Sequence, residues 1–251
     1  MAKKKLFSFK QKRSAAPPDE FGGFADGGLA IIDEDGKRLH ITPSRVAMAL
    51  RYFLARVELH SAEGLPSRLA LTSALVGEGV SFVTRSLASV IAYDTESSVV
   101  VVDVNWRRPT SPEAQAERHP GLADAVEDGV PVDEIIRATS NPRLSLIDAG
   151  EAAVARRPAL AGSKALATVF EELEGRFDHL LLDLPPVLAT SEAMNLSQLA
   201  DSYALVVRQG ATSESQVEAA LEEMQGALVL GVILNRFDSH IPTRLRRLVG
   251  T

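Results

Sequence analysis

The sequence predicts one large α/β domain: a doubly wound, mainly parallel sheet with helices on both faces. Three observations carry that prediction. Short apolar runs of strand length alternate with stretches of helical periodicity from Leu69 to Leu234, the pattern of βαβ units. One run, Val99-Val-Val-Val102, is continuously β-branched, as suits a strand buried on both faces. The 251 residues are 45% apolar and 24% charged, enough for a full core in a single domain.

Taken in order, residues 1–43 read as a basic tail, a Pro- and Gly-rich linker and a small hairpin. Asp35-Gly36 sits between two short apolar runs and supplies the hairpin's turn. The domain occupies 44–237, and 238–251 form a short basic C-terminal tail. A helix begins after Pro43, with Val46, Leu50, Phe53, Leu54 and Val57 on one face. Strands are predicted at Leu69–Thr72, Ser98–Asp103, Leu144–Ile147, His179–Asp183, Tyr203–Val207 and Leu228–Leu234. Helices are predicted at Ser81–Tyr93, Leu122–Glu127, Val132–Ala138, Lys164–Glu174, Glu192–Leu199 and Ser213–Met224.

Composition excludes several classes. With no cysteine, a disulfide framework and a thiolate metal site are ruled out. No apolar stretch approaches the roughly 20 residues that span a bilayer, and no apolar core follows the first lysines as a signal peptide requires. A cytoplasmic setting is therefore expected, with any membrane link peripheral. Charge is unevenly placed. Lys3, Lys4, Lys5, Lys10, Lys12 and Arg13 precede a remainder with 21 basic and 33 acidic residues. With Leu6, Phe7 and Phe9 interleaved, residues 3–13 suit an anionic membrane surface, at roughly 1 kcal/mol per basic residue; a solvated terminus is the plainer alternative. The acidic body argues against nucleic acid. His40, His60, His119, His179 and His240 lack ligand spacing, and no triad partner stands at a recognisable spacing from Ser73 or Ser86.

The chemistry gathers around Leu69-Ala-Leu-Thr-Ser-Ala-Leu-Val-Gly-Glu-Gly-Val-Ser-Phe82: a strand, a loop with Gly77 and Gly79, and a helix opening at Ser81. That is the outline of a phosphate-binding loop. In open parallel sheets, ligands collect outside the carboxyl ends of strands, where Asp103 and Asp183 also fall. Glycines let backbone N–H groups turn onto phosphates, a hydroxyl at the helix start meets magnesium, and carboxylates hold the metal or its waters. The site read from the sequence is Gly77, Glu78, Gly79, Val80, Ser81 and Phe82 for the nucleotide. Asp103 and Asp183 are the catalytic candidates, and Ser81, Asp103 and Asp183 the metal candidates.

Ser73-Ala-Leu-Val-Gly-Glu-Gly-Val-Ser81 resembles the P-loop of bacterial tyrosine kinases of capsule and exopolysaccharide assembly, which reads Ser-Ala-x-Pro-Gly-Glu-Gly-Lys-Ser. Val100-Val-Val-Asp-Val-Asn-Trp-Arg-Arg-Pro109 resembles their second motif, and Leu180-Leu-Leu-Asp-Leu-Pro-Pro186 their Walker B motif. His119-Pro-Gly-Leu122, Leu146-Ile-Asp-Ala-Gly150 and Gly231-Val-Ile-Leu-Asn-Arg236 also match in order, so the likeness runs from about Ser44 to Phe237. The resemblance implies a P-loop NTPase-like fold, ATP and Mg2+ as cofactors, and a membrane-bound adaptor of the chain-length-regulator type as partner.

The departures are equally specific. Val80 stands at the family's lysine, Val76 at its proline and Asn105 at its second acidic residue. Of the family's Glu-x-x-Arg-x-x-Arg oligomerisation motif only Arg51 remains, with Arg45 and Met48 at the other places, so the motif for ring assembly is incomplete. The C-terminal tyrosine cluster is missing, and Tyr52, Tyr93 and Tyr203 lie inside predicted elements. Arg107 and Arg108 read either as phosphate contacts or as surface residues. The expectation is a pseudokinase of polysaccharide biosynthesis that acts by binding an adaptor or a related active kinase. The alternatives are an active Mg-ATP-dependent kinase or ATPase, and a partitioning-type ATPase.

Overall fold

The computed structural model describes residues 27–61, 64–106, 119–190 and 192–236. A seven-stranded sheet organises them. Its strands are β3 (Arg68–Ser73), β4 (Val99–Asp103), β5 (Arg137–Ala138), β6 (Leu144–Ile147), β7 (His179–Asp183), β8 (Ser202–Arg208) and β9 (Val229–Asn235). Their order across the sheet is β5-β6-β4-β7-β3-β8-β9. Every neighbouring pair is parallel except β5 with β6.

Alternation along the strands splits the core into two layers. Leu69, Leu71, Val99, Val101 and Leu181 pack with α1 (Ser44–His60) and α2 (Val80–Asp94). Ala70, Val100, Val102, Leu180 and Leu182 face the other layer. That layer holds α3 (Leu122–Glu127), α4 (Val132–Ile135), α5 (Arg157–Ala161), α6 (Lys164–Glu174), α7 (Glu192–Ser197) and α8 (Glu214–Glu223). Both faces of the central strands are thus covered, as their apolar runs require. Each fully buried leucine contributes about 1.5–3 kcal/mol.

The hairpin forms as expected, from β1 (Leu29–Ile32) and antiparallel β2 (Arg38–Thr42). The Asp33 carboxylate organises its turn by accepting the N–H groups of Asp35 and Lys37 at 3.1 and 2.7 Å. The hairpin packs onto α2, where a His40 ring nitrogen lies 2.9 Å from the Ser86 hydroxyl. It also meets the sheet edge through an Asp33–Thr139 bridge and the Ser140 N–H on the Ile32 carbonyl. Arg51 braces α1 to the end of α2 with two hydrogen bonds to Asp94, at 2.6 and 2.9 Å.

Two local predictions differ from the structure. The helix from Val132 stops at Ile135, and residues 137–138 are strand β5, held by β6 and by the Arg137–Asp33 ion pair at 3.3 Å. Tertiary pairing there outweighs a helical period too short to be decisive. Helix α5, with a proline in its first turn, was not predicted. The basic N-terminal stretch, Arg107, Arg108 and the C-terminal tail lie outside the described residues. Among the described residues, no helix is long and apolar enough to cross a membrane. A groove of about 1140 Å³ between α1 and β9 is lined by Leu50, Phe53, Leu65, Leu230 and Ile233 and shares no residue with the loop after β3.

Candidate functional site

Strand β3 ends at Ser73 in the middle of the sheet, between β7 and β8. The chain then turns through Gly77 and Gly79, both in the left-handed region at φ 85° and 93°, into α2. Gly79 is the N-cap, and its carbonyl accepts the first helical bond, from the Val83 N–H at 3.1 Å. The N–H groups of Val80, Ser81 and Phe82 therefore precede any intrahelical acceptor. They form the end of a 15-residue helix whose dipole favours an anion.

Asp103 and Asp183 end adjacent parallel strands and stand opposite one another in register. Neighbouring strands lie about 4.8 Å apart, so both carboxylates emerge at one place. Asp183 is also in register with Leu71 of the strand that feeds the loop. The two aspartates are buried, and Asp103 accepts the Asn105 N–H at 2.9 Å. Ser81, half-buried in the first turn of α2, offers a further oxygen as a candidate donor. Oxygen donors of this kind suit Mg2+, which takes one or two carboxylates and fills its remaining positions with water and phosphate. No group of three or more His, Asp or Glu residues that could cage a metal occurs among the described residues.

The segment after Asp183 is laced to the loop's strand. Thr72 donates its hydroxyl to the Pro185 carbonyl at 2.8 Å, and the Val187 N–H bonds to the Ser73 carbonyl at 2.9 Å. Two further sequence motifs interlock nearby. A Cβ on Gly121 would lie 2.4 Å from the Gly150 nitrogen, so His119-Pro-Gly-Leu122 and Asp148-Ala-Gly150 meet backbone to backbone.

Three of the expected nucleotide residues turn their side chains into the protein. Val80 is 9% exposed and belongs to the core layer of Leu71, Val83 and Leu87. Phe82 lies edge-on to His40, with ring centroids 5.1 Å apart. Glu78 is 2% exposed; its carboxylate accepts the N–H groups of Leu75 at 2.7 Å and Arg208 at 3.1 Å, and the Thr212 hydroxyl. Arg208, Thr212 and Asn235, whose side-chain amide donates to the Glu78 carbonyl at 2.8 Å, were not anticipated as loop partners.

Other side chains around the loop are held in structural roles. Trp106 is buried, with its indole N–H on the Ala149 carbonyl at 3.1 Å. Arg85 lies toward the hairpin, where its charge acts on His40. Burial first, and then Arg85, pushes His40 down to about 4. Burial also lowers His179, against the opposing pull of the Pro66 carbonyl and Asp178.

The family model described as "Cellulose biosynthesis protein BcsQ" matches residues 67–244, from β3 past the end of β9. The chain belongs to that family. Its domain is a bacterial-tyrosine-kinase-like P-loop domain, as its relatives also indicate. It is 27% identical over 215 residues to the tyrosine-protein kinase CpsD of Streptococcus agalactiae, covering 82% of this chain and 93% of that one. It is 29% identical over 160 residues to the tyrosine-protein kinase ptk of Acinetobacter johnsonii, covering 62% of this chain but 22% of ptk. The chain thus spans nearly all of one relative and about a fifth of the other. The solved BceF tyrosine kinase domain superposes with a TM-score of 0.61 at 28% identity, covering 75% of this chain and 74% of that one.

Proposed function

We propose that the protein serves bacterial polysaccharide biosynthesis as a pseudokinase: it binds Mg-ATP weakly, does not turn it over at kinase rates, and acts through binding. The observation that carries this reading is Val80. The side chain at the place of the phosphate-contacting lysine is apolar and packed in the core, while Asp103 and Asp183 stand in register at adjacent strand ends and Ser81 lies in the first turn of α2, which supports a nucleotide site without its cation. Losing a charged hydrogen bond weakens binding by roughly 1.5–3 kcal/mol, about ten- to more than a hundredfold. Turnover suffers more, because phosphoryl transfer depends on stabilising charge that develops in the transition state.

In this role Gly77, Gly79 and the backbone of Val80–Phe82 hold the phosphates, while Ser81, Asp103 and Asp183 hold magnesium or its waters. The partner is a membrane-bound adaptor of the chain-length-regulator type or a related active kinase, met at the inner face of the membrane with help from residues 3–13. The family's description as a cellulose biosynthesis protein and the kinase names of its relatives support this setting. They favour it over the partitioning alternative.

The test measures Mg-ATP binding and phosphate release on the full chain beside a Val80→Lys variant. The wild type is expected to bind and to release phosphate only at the background rate. Wild-type turnover well above background, equal to that of a nucleotide-binding Val80→Lys variant, refutes the pseudokinase reading. Absence of binding in both removes the nucleotide.

A further inference from the structure

We propose that Asn235 and Glu78 form a clamp that fixes the phosphate loop from outside, with Asn235 as the positioning residue that aims the Gly79 N–H at the anion. This rests on the nucleotide reading of the same loop.

The clamp starts from an oddity of charge. Glu78 sits within the phosphate loop, yet its carboxylate is buried on three donors, none of them a cation. A buried carboxylate persists where hydrogen bonds replace its water. Its donors come from three places: Leu75 within the loop, Arg208 at the end of β8, and Thr212 in the following turn. The side chain thereby ties the loop to the β8 side of the sheet. On the β7 side, the Val187 and Leu188 N–H groups hold the carbonyls of Ser73 and Ala74.

Asn235 then acts on one peptide. Its amide nitrogen donates to the Glu78 carbonyl at 2.8 Å, and its amide oxygen accepts the Arg236 N–H at 2.8 Å. The side chain is therefore held at both ends. A trans peptide directs its C=O and N–H oppositely, so a fixed Glu78 carbonyl fixes the Gly79 N–H on the far side from Asn235. The next peptide is set independently, because the Gly79 carbonyl is engaged by the Val83 N–H and the Val80 N–H must point out of the helix start. Two successive donors are thus aimed before any ligand arrives, without a cationic side chain in the loop. The approach is close: a Cβ on Gly79 would lie 2.2 Å from the Asn235 amide nitrogen.

The experiment compares wild type with Asn235→Ala, Asn235→Asp and Thr212→Val, each as the full chain. Asn235→Asp keeps the acceptor for Arg236 but loses the donor, so it separates donation from packing. Two readouts are taken: amide hydrogen exchange, without nucleotide, of Leu75, Val83 and Arg208, whose N–H groups bond to Glu78 and Gly79, and the dissociation constant for Mg-ATP. Both Asn235 variants are expected to exchange about three- to tenfold faster at these three amides, the effect of one neutral hydrogen bond, and to weaken Mg-ATP by a similar factor. Exchange in β3 and β7 stays unchanged. Thr212→Val gives a smaller change in the same direction.

Unchanged exchange at Leu75, Val83 and Arg208 overturns the clamp. Faster exchange with unaltered Mg-ATP affinity overturns its positioning role. If the wild type binds no Mg-ATP, the nucleotide reading and the positioning role fail together, while the exchange data still decide whether the clamp exists. Should the Asn235 variants lose exchange protection throughout the sheet, Thr212→Val decides the clamp alone.

Discussion

Gly79→Ala tests the loop geometry most directly. Gly79 lies at φ 93°, in the left-handed region, where a side chain costs about 1–2 kcal/mol. The added methyl would also come within 2.2 Å of the Asn235 amide nitrogen and force that side chain off the Glu78 carbonyl. The lost hydrogen bond adds about 1 kcal/mol, so the substitution should destabilise by about 2–3 kcal/mol. In an Asn235→Ala background the clash and the bond are already gone, and only the backbone strain of about 1–2 kcal/mol remains. The coupling between the two substitutions should thus be about 1 kcal/mol. Urea unfolding can follow the chain's one tryptophan, the buried Trp106. Additive effects, or a Gly79→Ala cost below about 0.5 kcal/mol, would refute the close approach.

Two further predictions concern stability. His40 is held at about 4 in the folded state, chiefly by burial, against 6.5 when unfolded. The unfolded chain therefore takes a proton first, and stability is full above pH 6.5 and falls as pH drops toward 4, by at most about 3 kcal/mol. His40→Gln should flatten that part of the pH profile in urea unfolding, leaving the smaller slope from His179; an unaltered profile contradicts the burial argument. Arg51→Ala should cost only about 1 kcal/mol despite its two-pronged bond, because the arginine side chain is 35% exposed. Asp94→Asn should behave alike, and a double-mutant cycle on the pair should show the coupling.

The alternation of short apolar runs with helical stretches located the strands closely: β6 and β7 begin and end where Leu144–Ile147 and His179–Asp183 predict. The reason is physical. A strand buried on both faces cannot hide its composition, and Val99-Val-Val-Val102 suits little else. Strand β5 was not legible, because two residues have no period and are held by β6 and Asp33. The site was half legible. Gly77, Gly79, Ser81, Asp103 and Asp183 stand at turns and strand ends that the pattern fixes locally. The clamp was not, since Glu78 finds Thr212 134 residues later in the chain. Asn235 did lie in a motif of the resemblance, at the end of the last strand. Only the meeting of that strand's end with the loop gives it a task.

Why the loop keeps its shape without a lysine follows from the same contacts. Its backbone is fixed by Glu78, Asn235 and the Val83 bond, none of which depends on the side chain at position 80. Val80 keeps the packing that a lysine stem would make against Leu71 and Val83 and omits only the charge. The deficit is then electrostatic, and the surroundings sharpen it. Asp103 and Asp183 add negative charge beside the place where phosphates would sit, with no loop cation to offset them. A divalent cation must therefore supply the neutralisation, and nucleotide binding should depend steeply on magnesium. Chelation with EDTA should weaken ATP binding by at least about a hundredfold, the upper end of one charged hydrogen bond. Asp183→Asn should remove much of the benefit of magnesium while leaving metal-free binding no weaker. ATP bound as tightly without magnesium as with it would contradict this account, because the helix-start amides alone would then outweigh two buried carboxylates.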